Sequence, residues 1–94
     1  MNARITSRNG GTHEAATSAT GANFVALPEH PATMVTLFNY TGQKIDWKIS
    51  SGSFIELNNN TAVQINGLVN SSQVSVRRTD LVGTPVTVKF HFAD

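Results

Sequence analysis

Residues 44–50, Lys-Ile-Asp-Trp-Lys-Ile-Ser, alternate apolar and polar without a break: Ile45, Trp47 and Ile49 on one side, Lys44, Asp46 and Lys48 on the other. A strand sends successive side chains to opposite faces, whereas a helix would scatter these three apolar residues around its circumference. The stretch therefore reads as a half-buried antiparallel strand. Residues 33–39, just before it, are apolar on both faces, with Val35 and Leu37 on one and Met34 and Phe38 on the other. That is the pattern of a strand that is central or covered on both sides. Tyr40, Thr41 and Gly42 turn the chain between the two, and Gly42 is free to take a positive φ. The only Trp and the only Tyr fall in this unit. Trp47 shares its face with two isoleucines and reads as a core anchor, which leaves Tyr40, at the turn tip, as the exposed aromatic.

Shorter strands surround the unit. Residues 24–27 form one that Pro28 and Pro31 bring to a stop. Residues 53–58 place Ile55 and Leu57 inward, with Phe54 anomalously on the outer side. Residues 61–66 turn Val63 and Ile65 inward, and Val74 and Val76 mark a further strand with Ser75 and Arg77 outward. Between these two, Leu68 and Val69 are expected to pack. Residues 86–92 align Val86, Val88, Phe90 and Phe92 on one face. No stretch has a helical period. About seven short strands with turn signals between them predict an all-β fold, a small antiparallel β-sandwich or barrel.

The β-domain is expected to occupy residues 23–94. Residues 1–22 are rich in Thr, Ser, Ala, Gly and Asn, with Ile5 the only large apolar side chain after Met1. Such a segment cannot bury enough apolar surface to offset its ordering entropy, so it reads as a flexible or extended N-terminal arm that orders against a neighbouring subunit.

The same residues exclude most chemistry. A net charge of +1 with 14% charged residues is neither a nucleic-acid-binding nor an acidic profile. Arg77-Arg78 is the one basic pair. With no cysteine there is neither a disulfide framework nor a thiolate zinc site. His13, His30 and His91 stand at no metal-ligand spacing and read as surface histidines. No nucleophile elbow or phosphate loop is present. The expectation is therefore no enzyme, no cofactor, no metal, no nucleic acid and no membrane partner. Asp46 and Glu56 are expected on solvated faces, pairing with Lys44 or Lys48. The sequons at Asn39, Asn59 and Asn70 read as ordinary turn asparagines. The start of the chain carries no apolar signal region, so synthesis is expected in the cytoplasm. Low charge with abundant Ser, Thr and Asn suits a surface that lies against other protein, and a domain this small often gains stability by oligomerising.

Four segments resemble small β-rich structural proteins of tailed-phage virions: Phe24-Val25-Ala26-Leu27-Pro28, Val35-Thr36-Leu37-Phe38-Asn39-Tyr40-Thr41-Gly42, Val74-Ser75-Val76-Arg77-Arg78 and Thr84-Pro85-Val86-Thr87-Val88. These motifs mark strands and turns, not a catalytic site. The resemblance implies a capsid decoration (cement) protein, or a related head or tail accessory protein, on the virion surface. It further implies a homotrimer bound to the major capsid protein. Candidate contact residues are Arg4, Ile5 and Arg8 in the arm, Tyr40 at the turn, Phe54 on its outer face, and Arg77 and Arg78 as anchors for partner carboxylates. The rival expectation is a receptor- or carbohydrate-binding domain of a phage fibre or tail, using Tyr40 and the Asn-rich turns.

Overall fold

The alternating segments become eight strands in a computed structural model that describes residues 12–93. In chain order they are β1 (Thr12–Ala16), β2 (Val25–Ala26), β3 (Met34–Asn39), β4 (Ile45–Ile49), β5 (Ile55–Leu57), β6 (Thr61–Asn66), β7 (Val74–Arg78) and β8 (Thr87–Ala93). A single 3-10 turn, Ser71–Gln73, precedes β7. The strands form two four-stranded sheets, β1-β8-β3-β6 and β2-β7-β4-β5, and every neighbouring pair is antiparallel. The fold is thus an all-β sandwich, and its strand order is that of a jelly roll, two Greek keys wound into facing sheets.

The strand beyond the expected seven is β1, which lies within residues 1–22. It pairs along its whole length with β8, from Thr12 opposite His91 to Ala16 opposite Thr87. Only Ala15 of this strand is fully buried. Its place is therefore set by backbone hydrogen bonds to a distant edge, and residues 12–16 form an edge strand of the first sheet. Arg4, Ile5 and Arg8 lie outside the described residues.

The inner faces meet as the alternation predicts. Val35, Leu37, Ile65, Val88 and Phe90 of the first sheet pack against Ile45, Trp47, Leu57, Val74 and Val76 of the second. Removing a Leu or Phe side chain of this kind from water contributes about 1.5–3 kcal/mol. Three apolar residues expected to pack stay exposed, the first of them Ile49 at the end of β4, at 36%. Ile55 does lie on the Trp47 side, directly opposite it, but β5 is an edge strand and Ile55 stays 57% exposed. Val69, expected to pack, is 78% exposed, because Leu68 alone turns into the core from that loop.

The connections gather at two ends. At one, Asn59 accepts from Gly42 N, Thr79 N donates to Lys44 O, and the loop before β2 touches the loop before β8. That last contact is backbone on backbone. A Cβ on Gly21 would stand 2.0 Å from Leu81 O, and one on Gly83 2.5 Å from Ala19 O. Gly42 takes φ +87° as its turn requires. At the other end Ser71, fully buried, donates to Pro28 O and accepts from His30 N, joining the β2–β3 and β6–β7 connections.

Candidate functional site

Adjacent residues on a strand face opposite ways, so Arg77 and Arg78 part company. Arg77 lies on the outer face of the second sheet, opposite Asp46 of β4. Its Nε donates to Asp46 Oδ2 at 2.9 Å and its NH1 to Ala22 O at 3.1 Å. The guanidinium sits 4.4 Å from the ring centroid of Phe24 and 4.8 Å from that of Phe54. This explains why Phe54 is on the polar side of its strand: it covers a cation. Asp46, expected in solvent, is only 1% exposed and is bonded by Arg77 through one oxygen. Its second oxygen accepts from the Thr79 hydroxyl at 2.7 Å. Glu56 behaves as expected, pairing with Lys44 at 3.3 Å with both side chains about half exposed, which makes the bond a minor contributor.

Arg78, on the inner side, closes the sandwich at the loop end. It is buried and grips Asp80 with two hydrogen bonds of 3.0 and 2.7 Å, while its NH1 reaches Thr84 O. Asp80 Oδ1 also accepts from Val82 N. The loop is therefore tied at three points, and its tip presents Leu81 and Val82 to solvent, with Leu81 in the left-handed region at φ +62°. The Arg78 guanidinium first, and Val82 N–H second, hold the Asp80 carboxyl below its ordinary range.

A depressed acid pKa stabilises the fold above the unfolded-state pKa and ceases to do so as pH falls through the folded value. Carbon-detected NMR is accordingly expected to place the Asp80 midpoint below about 3.9, the unperturbed value. Arg78→Gln should bring it back up, and an unchanged midpoint in that variant would disprove the assignment.

Tyr40, 64% exposed, follows β3 directly and stands at the rim of a depression on the outer face of the first sheet. The depression measures about 120 Å³ and is lined by Phe38, Tyr40, Thr87 and Lys89. At the opposite end of the same sheet, histidines distant in sequence converge. The His13 and His30 ring centroids are 5.1 Å apart, and His30 stacks on Phe92 at 4.3 Å with an interplanar angle of 11°. Both rings are half-buried, not surface groups. His91 remains on the outer face. Among the described residues no group of three or more His, Cys, Asp or Glu side chains could hold a metal.

Of the candidates within the described residues, Tyr40 and Phe54 are exposed, while both arginines engage aspartates of their own chain. Sequence reasoning missed Leu81, Val82 and Lys89. Asp80-Leu81 within a polar loop was the available signal for the first two, and Lys89, between Val88 and Phe90, for the third. No family model matches the chain, and no curated protein or solved structure matches it.

Proposed function

We propose that the protein is a virion structural protein of the capsid decoration kind, a β-domain that binds a major capsid protein lattice and braces it. The observation that carries the reading is the strand order, β1-β8-β3-β6 facing β2-β7-β4-β5, an architecture used by viral capsid domains. Since a fold hosts many functions, the surface has to supply the rest. Support for the reading comes from the loop end, where Leu81 and Val82 stand exposed on a loop tied down by Arg78 and Asp80. A rigid loop loses little entropy on docking, and exposed aliphatic side chains on it suit the pockets of a protein partner. The small size of the domain favours a homo-oligomer, and the resemblance to phage decoration proteins implies that it is a trimer on the capsid.

The test is to purify particles of the phage that encodes the chain, strip the protein, and let it rebind. The expected result is co-purification with heads in fixed ratio to the major capsid protein, and rebinding that raises the thermal resistance of the capsid. Leu81→Asp with Val82→Asp should abolish rebinding while the thermal midpoint of the isolated protein stays unchanged. Absence of the protein from purified heads would overturn the reading.

A further inference from the structure

Three features of the depression beside Tyr40 bear on what it can hold. It is partly enclosed, and half of its lining is aromatic: Phe38 forms part of its wall, and the mostly exposed Tyr40 ring stands at the rim. The other half carries polar groups, Thr87 and Lys89. Lys89 makes no ion pair among the described residues, although Glu14 is its cross-strand partner on β1. The Tyr40 hydroxyl likewise makes no hydrogen bond among them. Phe38 and Lys89 are direct cross-strand partners, so the apolar wall and the cation are held on one rigid sheet face.

An aromatic face beside uncommitted hydroxyl and ammonium donors matches a ligand that is apolar on one face and hydroxyl-bearing at its edge. A pyranose ring has that character: its C–H face packs on an aromatic ring and its hydroxyls radiate outward. The Lys89 ammonium, without an ion pair among the described residues, adds a preference for negative charge, since a charge-assisted hydrogen bond is about twice as strong as a neutral one.

We infer that this face binds an acidic saccharide unit of the uronic acid type. The sugar ring lies on Tyr40, the carboxylate meets Lys89, and Thr87 bonds a ring hydroxyl. The site stands on the opposite side of the sandwich from the Arg77 cluster. It does not depend on capsid binding, so either reading can fail alone.

The experiment is an NMR titration of the full-length protein with methyl glucuronide, methyl glucoside and benzoate. The expected result is saturable shifts at residues 38, 40, 87 and 89 with the glucuronide, and at least about tenfold weaker binding of the neutral glucoside. Tyr40→Ala should weaken binding of both sugars by about tenfold or more, the scale of a lost aromatic contact. It should leave the thermal midpoint unchanged, because the side chain is mostly exposed. Lys89→Met should remove the preference for the acidic sugar and spare the neutral one. Benzoate has the charge and a flat face without the hydroxyls, so binding as tight as the glucuronide's would overturn the saccharide class. Absence of saturable shifts, or shifts indifferent to both substitutions, would overturn the site.

Discussion

Arg77→Ala is expected to cost about 3–5 kcal/mol of folding stability, the usual penalty for leaving one member of a buried ion pair without its partner. Asp46 is the member left behind, and it is sealed from water on a sheet face that the pattern of its strand marks as polar. The Thr79 hydroxyl would remain as a donor, but it brings no charge. The same substitution removes the cation that lies against both Phe24 and Phe54 and releases the loop held through Ala22 O. Thermal unfolding should register a drop of about 15 °C or more, since each kcal/mol shifts a domain of this size by about 4–8 °C. Arg77→Lys should recover only part of the loss, because a compact ammonium cannot reproduce the planar guanidinium's contacts with two rings and a carboxylate at once. Arg77→Met combined with Asp46→Leu removes both charges and should be far less damaging than Arg77→Met alone. A double-variant loss equal to the sum of the losses of Arg77→Met and Asp46→Leu measured singly would show that the pair is not coupled.

Asn39→Ala should cost about 3 kcal/mol by urea denaturation, through hydrogen bonding alone, since buried acceptors left without donors cost about 1–3 kcal/mol each. The side chain is fully buried at the end of β3. Its Nδ2 donates to Gln43 O at 2.8 Å and Leu57 O at 2.9 Å, and its Oδ1 accepts from the Thr41 hydroxyl and backbone N. One amide thus joins the β3–β4 turn to β5 across the two sheets. Asn39→Asp keeps the shape but turns a carboxylate oxygen on two carbonyls, so at neutral pH it should destabilise more than Ala does. A variant Asp as stable as the parent would remove Asn39 from this role.

The strands were legible where large apolar residues alternate. β3, β4, β6, β7 and β8 all follow from that signal, and so does Trp47 in the core. β1 was not legible, because Thr-His-Glu-Ala-Ala offers one small buried side chain and is held through backbone groups that any sequence possesses. Asp46 shows a second limit. Alternation tells which side of a strand a residue faces, but not whether that side is covered, and here Asp46 is buried with Arg77 and Thr79, distant in sequence, bonded to it. The arginine pair could have been divided from sequence, since neighbours on a strand face opposite ways. Their partners Asp46 and Asp80 required the pairing of strands, which is non-local. Tyr40 was legible because it immediately follows a strand, where the chain leaves the sheet and a ring can stay uncovered. The convergence of His13 with His30 depends on β1 and the β2–β3 loop meeting at one end, and nothing local announces it.

The position of β8 bears on how the chain comes to be folded during translation. It is the last of the eight strands to leave the ribosome, yet it lies between β1 and β3 in the middle of its sheet. Until it arrives, β1 has no partner at all, and β3 can pair only with β6. The nascent chain must therefore wait with Val35 and Leu37 uncovered by Val88 and Phe90, and with an open β3 edge that another copy could occupy. Pairings as distant as Thr12 with His91 close slowly, and unpaired edges invite association in the interval. Ribosome pausing before residue 87 should raise the aggregated fraction of this protein, while pausing within the β1–β2 connection should be harmless.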